Sequence, residues 1–222
     1  MTVKANAKSP SIVGRAAPRS DLRQERSRQR QKRLLDAAEE VVAEVGLADM
    51  SMREVGRRAE MPIASVYHYF PSAPALVRAL AERQLEHLGL FIADRLQHHR
   101  SARPEPTVPA LARSIIADAA RHMETMPALP AIWNALRSTP ELRELDRSDT
   151  FASAARLAPI VRQALPQMSE SDAETYAVVL MESVAINLMF ALESPEPLRL
   201  KLIKAIQDFV GRALAAQIVD CH

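Results

Sequence analysis

Glycine occurs only five times in 222 residues, against fifteen prolines. An all-β chain needs glycine at its tight turns, and a phosphate-cradling loop needs several close together, so both are poorly served here. Helices joined at Pro and Ser breaks are what remains. A chain of this length buries roughly 70% of its unfolded surface on folding, enough for a core without staples. The single Cys221 excludes an internal disulfide framework and a multi-cysteine zinc site. No segment resembles a signal peptide. The longest apolar run, Ala177 to Leu192, is interrupted by Glu182, Ser183 and Asn187 and reads as too short for a membrane span. The expectation is an all-α, cytoplasmic protein with no membrane contact.

Charge is unevenly placed. Residues 1–35 carry ten Lys or Arg against Asp21 and Glu25, a local charge of +8. With a formal total of +2, the rest of the chain sums to −6. A basic arm on an acidic body is the electrostatic footprint of a polyanion binder, because neutralising phosphates releases condensed counterions. Residues 1–22 mix Pro, Gly, Ser and basic residues without periodicity and read as a disordered arm.

A helical pattern begins near Gln24. Leu34, Ala38, Val41, Val42 and Val45 form one apolar stripe, and Gly46 follows where a left-handed residue would end the helix. Ser51 and Glu54 have capping-box spacing for a short second helix with Met52, Val55 and Ala59 inward. Pro62 opens a third helix with Ile63, Val66 and Phe70 inward. Ser72 caps a fourth that runs through Leu76, Leu80, Leu88 and Ile92 towards His98. After the Pro-rich break at residues 103–109, helices are expected near 109–124, 127–138, 140–164, 171–193 and 196–218. Ser171 and Glu174 give a second capping box, heading the most apolar helix of the chain. The total is about nine helices.

Residues 51–70, SMREVGRRAEMPIASVYHYF, have the spacing of a helix-turn-helix supported by the longer first helix. Its second helix exposes Ala64, Ser65, Tyr67, His68 and Tyr69. A major groove admits one helix, and small residues such as Ala64 and Ser65 let its backbone approach base edges. Tyr67, His68 and Arg53 can donate to phosphate oxygens. Phe70, and partly Tyr69, read instead as core.

Arg33-Leu-Leu-Asp-Ala-Ala38, Gly46, Ser51-Met-Arg-Glu-Val55, Ala59 and Val66-Tyr-His-Tyr-Phe-Pro-Ser72 through Ala75-Leu76 together resemble the TetR family of bacterial transcriptional regulators. The resemblance covers residues 28–88, and Val66 to Ser72 is its most specific part. It implies a homodimer whose two reading helices enter successive major grooves of a near-palindromic operator. It also implies a small-molecule effector, of unknown identity, in a pocket built by the C-terminal helices, with the last two helices forming the dimer interface. The implied division is 1–22 as arm, 23–88 as DNA-binding domain and 89–222 as effector and dimerisation domain. Three departures stand out. Glu60 sits where the family has Gly, Gly56 replaces the usual Ala, and Ala73 replaces a common phosphate-binding Lys. The basic arm is expected to compensate for that Lys.

Candidate pocket residues lie within 105–190. They are Met123, Met126, Trp133, Phe151, Met181, Asn187 and Met189, with His122 similarly ambiguous between pocket and core; Met suits adaptable pockets but also fills plain cores. No HExxH, phosphate loop or nucleophile elbow is present, so neither catalytic residues nor cofactor are expected. Asp94 and His98, at i and i+4, are too few for a metal site and read as solvated surface. The alternative function is a helical ligand-binding or adaptor protein that has lost DNA binding, as Glu60 and Ala73 would permit.

Overall fold

The first helix starts earlier than apolar periodicity alone predicts. In the computed structural model, which describes residues 19–101 and 106–216, α1 spans Arg19–Val45. Residues 19–22, expected in the arm, are therefore helical. Their stretch has no apolar stripe to detect, but residues 19–33 are rich in Arg, Gln and Lys, which lose little side-chain freedom in a helix. Exposed bonds from Gln29 to Glu25 (3.1 Å) and from Lys32 to Asp36 (2.7 Å) add i, i+4 support. The remainder of the arm, Gln217 and Cys221 lie outside the described residues.

Eight further helices follow: α2 (Met52–Arg58), α3 (Ile63–Tyr69), α4 (Ala73–Ser101), α5 (Val108–Glu124), α6 (Leu129–Ser138), α7 (Pro140–Ala164), α8 (Glu170–Leu192) and α9 (Leu198–Ala216). Among the described residues there is no strand, so the fold is all-α. Leu34 and Val41 of α1, Val55 of α2, Val66 of α3 and Leu76 and Leu80 of α4 are fully buried and form the core of the N-terminal half. Each such side chain is worth about 1.5–3 kcal/mol relative to exposure. α5 through α9 pack as a second bundle against the C-terminal half of α4.

Local chemistry sets the ends. Gly46 adopts φ 78° and donates to Val42 O at 2.9 Å, stopping α1. Ser51 Oγ accepts from the Glu54 amide at 3.2 Å, and Ser72 Oγ accepts from the Ala75 amide at 3.3 Å. Only half of the first capping box forms, because the Glu54 carboxylate turns to Arg57 and Arg58. The second box is displaced by two residues. Ser169, not Ser171, caps α8, accepting from the Asp172 amide (3.1 Å) and donating to Asp172 Oδ2 (2.7 Å). Ser169 is the last extended residue before α8, whereas Ser171 is already helical and cannot supply the half-in geometry of a cap.

The turn between α2 and α3 resolves the roles of Glu60 and Gly56. Met61 N–H donates to Gly56 O (2.9 Å) and Glu60 N–H to Arg57 O (3.2 Å), the paired bonds of a Schellman stop. That stop needs a left-handed residue, and Glu60 supplies it at φ 54°. Arg33 braces the strained position from α1, donating to Ala59 O at 2.8 Å with Glu60 Oε2 3.5 Å away. Gly56 lies where α2 and α3 meet: a Cβ there would stand 2.9 Å from Val66 Cγ2 and 3.1 Å from Met61 O. The helix propensity expected from Gly56→Ala, a gain of about 1 kcal/mol, is then outweighed by overpacking, which costs about 1–3 kcal/mol. Gly56→Ala is expected to lower the urea midpoint by the equivalent of about 1 kcal/mol; a raised midpoint would mean that the two helices are not in this contact.

The domain boundary expected at 88/89 falls inside α4, which passes through helical Gly89 without a break. This continuity joins the two halves mechanically.

Candidate DNA-reading face and effector cavity

α3 is short enough that its two faces are easily separated. Val66 and Phe70, one turn apart, are buried and anchor it to the N-terminal core. Ala64, Tyr67 and His68 are exposed, Tyr67 to 50%, and Ser65 is half-buried beside them. Tyr69 turns away from this face: it packs against the core, and its hydroxyl lies 3.5 Å from Ser27 Oγ of α1. Ile63, expected inward, is 42% exposed. As the first residue of a seven-residue helix it has no preceding turn to shelter it, so it joins Ala64 and Tyr67 on the outer face.

The arginines of α2 divide into two groups. Arg57 and Arg58 are tied to carboxylates: Arg57 reaches Glu54 at 2.7 and 2.8 Å, and Arg58 bridges Glu54 and Glu44. The hydrogen bonds from Arg57 and Arg58 hold the Glu54 carboxyl down at about 2. A depressed folded-state value means that these bonds add stability above the ordinary carboxylate range, lost as pH falls from 4.5 towards 2. Arg53, exposed on the first turn of α2, has no ion-pair partner among the described residues. It is thus left with its donors available beside the outer face of α3.

In the second bundle, α4 to α9 line a partly open cavity of about 190 Å³. Met123, Trp133 and Met181 line it, as expected. Met126, Phe151 and Asn187 do not. Met126 packs against the core, Phe151 is 56% exposed, and Asn187 is exposed and donates to Ser183 O of its own helix. Met189 is buried away from the cavity, and His122 stacks flat on Phe91 with ring centres 4.4 Å apart. The lining also leaves the expected 105–190 interval, taking Leu88, Ile92 and Leu96 from α4 and Val210 and Leu214 from α9. The i, i+4, i+8 spacing of Leu88, Ile92 and Leu96 was the available signal.

Comparison with known proteins agrees with this architecture. Residues 34–80 match the family described as bacterial regulatory proteins, tetR family. The chain is 26% identical over 138 residues to the HTH-type transcriptional regulator BetI of Serratia proteamaculans (strain 568), covering 62% of this chain and 70% of the relative. It is 28% identical over 88 residues to the HTH-type transcriptional repressor KstR of Rhodococcus jostii (strain RHA1), covering 40% and 42%. The chain carries the TetR-family DNA-binding domain at residues 34–80. It is a DNA-binding transcriptional regulator. The fold agrees with two solved structures: the fatty acid degradation regulator FadR of Bacillus halodurans (TM-score 0.64, 15% identity, covering 82% of this chain and 94% of that one) and the TetR-family regulator PfmR of Thermus thermophilus (0.59, 18%, covering 81% and 97%).

Two further features of this chain bear on its sites. Asp94 and His98 interact with each other on an exposed face of α4, His98 Nδ1 lying 2.9 Å from Asp94 O. Among the described residues, no group of three or more His, Cys, Asp or Glu could hold a metal ion. Secondly, α8 is longer than its apolar run suggests. At 23 residues, with a mean hydropathy of 1.7 over its most apolar window, it is long and apolar enough to cross a membrane by length and composition. The apolar run alone understates the helix, which also includes residues 170–176. Only 22% of that window is buried in the single chain, and α8 packs along α7 and α9, leaving its outer face uncovered.

Proposed function

We propose that this regulator is a homodimeric repressor that a small molecule releases from a near-palindromic operator. Residues 23–88 read DNA, and residues 89–222 bind the effector and the second subunit. The basic arm adds phosphate contacts in place of those Ala73 lacks. The protein acts in the cytoplasm by binding, without a chemical step.

The observation that carries this reading is α4. Its N-terminal half is packed into the reading head through buried Leu76 and Leu80, and its C-terminal half lines the cavity through Leu88, Ile92 and Leu96. An occupant that displaces the far half therefore acts on the near half. In a dimer this changes the separation of two α3 helices that must sit one turn of DNA apart, roughly 34–36 Å. The occupant works only if it prefers one separation, since equal affinity for both shifts nothing.

Ala64 and Ser65 are assigned to base edges; Arg53, Tyr67 and His68 to phosphates; and Tyr69 to holding α3 against α1. The test is a mobility shift with DNA from beside the protein's own gene. Arg53→Ala is expected to weaken binding about tenfold and, with two copies per dimer, to lower the slope of log K against log salt by about 2. Tyr67→Phe is expected to weaken binding by a similar factor without changing that slope. Full operator affinity in both variants would remove Arg53 and Tyr67 from the interface.

A further inference from the structure

The cavity's lining restricts what it can hold. From Leu88 on α4 to Leu214 on α9, every lining side chain is a hydrocarbon, a thioether or the indole of Trp133. Arg137, the cation that stacks on Trp133 of this wall, lies outside the lining. Its guanidinium stands 5.7 Å over the Trp133 ring, 3.2 Å from Glu182 and 3.8 Å from Asp146. Arg137 is therefore already neutralised and separated from the cavity by the indole. The carboxylates it pairs with are committed in turn, Glu182 also accepting from Thr150 at 3.0 Å.

A site built for a polar ligand usually holds a donor or acceptor left unpaired until the ligand arrives. Among the described residues the buried side-chain atoms without a partner belong to Arg83, Gln84, His122 and Arg199, and none of these residues lines the cavity. A charge placed inside would lose its water and gain no partner, a cost that excludes it. The size is also limiting. An apolar cavity of about 150 Å³ holds benzene, so about 190 Å³ suits a somewhat larger hydrocarbon.

We infer that the effector of this regulator is an uncharged, hydrocarbon-rich small molecule, larger than a single aromatic ring, with no charged group inside the cavity. This rests on the cavity being the effector site proposed above. Met123 and Met181 on opposing helices let the wall adjust to hydrocarbons of different shape.

The test uses the full chain and the fluorescence of Trp133, the only tryptophan, without DNA. Straight-chain alcohols of six to ten carbons are titrated beside the carboxylates and alkylammonium ions of the same lengths. The dissociation constant of the alcohols is expected to fall about fourfold per added methylene, the ratio given by about 0.8 kcal/mol per buried CH₂. The charged analogues are expected to bind at least about tenfold more weakly at each length, as the penalty for an unpaired charge requires. Ala112→Phe and Ala185→Phe, filling the cavity from α5 and from α8, are each expected to weaken octanol binding about tenfold or more. Two walls are used so that one misfolded variant does not leave the question open.

A constant independent of chain length, or charged analogues that bind as well as the alcohols, would overturn the inference. Alcohols that bind with the expected slope yet leave the operator complex intact would uphold the ligand class and refute release by this cavity. A charged compound that binds there and releases the operator would uphold release and refute the ligand class.

Discussion

With Phe190 and Phe209 both changed to aspartate, the protein is expected to sediment as a monomer and to lose at least about 100-fold in operator affinity, within the range that linking two binding modules provides. The reason lies on the uncovered side of α8 and α9. Val179, Ile186 and Phe190 of α8 are 57%, 49% and 62% exposed, and Phe209 of α9 is 64% exposed. Between the helices Ser183, Asn187, Leu202, Ala205 and Ile206 line a groove beside the Phe209 ring. An aromatic ring buries about 150–250 Å² when covered, and a soluble single chain rarely leaves so contiguous an apolar face open. The two-fold dimer proposed above, placed across this face, would cover it with its own copy and leave both reading heads on one assembly. Because both rings are exposed in the single chain, helical content should not change. Sedimentation and a mobility shift on the same samples decide the matter. A dimer that persists, or a monomer with full operator affinity, would put the interface elsewhere.

The reading head was legible because its determinants are local. Gly46 after an apolar stripe, Ser51 three residues before Glu54, and Val66 one turn before Phe70 each specify a structure within a few residues. The features that periodicity missed needed a second element. Gly56 reads as a weak point of α2, and only the approach of Val66 shows that a larger residue would collide. Arg33 reads as part of a family signature, and its role appears only when α1 meets the turn at Ala59 and Glu60. The cavity was least legible. α8 is apolar nearly all round, so periodicity cannot tell whether Met181 faces a void and Met189 a wall. Phe151 lies outward on α7, whereas Leu88 and Ile92 read only as part of the apolar pattern of α4. A void is defined by the faces of six helices together, and no single helix's pattern contains that information.

Arg83→Met is expected to destabilise the protein by about 2 kcal/mol and to weaken the coupling between the cavity and the reading head. Arg83, only 12% exposed, reaches from α4 to α1, with Nη1 2.8 Å from Asp36 Oδ1 and Nε 3.1 Å from Glu39 Oε1. The neighbouring Gln84 donates to the same Glu39 oxygen at 2.6 Å and is itself buried. Breaking a buried ion pair by removing one partner costs about 3–5 kcal/mol. Asp36 and Glu39 remain 44% and 28% exposed and can recover part of that from water. Methionine preserves the length and apolar stem, so the loss measured is mainly that of the clamp. One turn beyond it, α4 begins to line the cavity at Leu88; in the release proposed above, the clamp would pass displacement of α4 into α1 and the turn that α1 braces. A ligand that weakens operator binding by a typical coupling factor of about 5–150 in the parent is therefore expected to weaken it by a smaller factor in Arg83→Met, the part that remains being carried by the packing of Leu76 and Leu80. Arg83→Lys, which keeps the charge but not the fork that spans two carboxylates, should fall between. The measurements are thermal melting and operator affinity with and without a saturating ligand. A lower melting temperature with full coupling would make Arg83 a support of the fold alone, and an unchanged melting temperature would show that the clamp carries little energy.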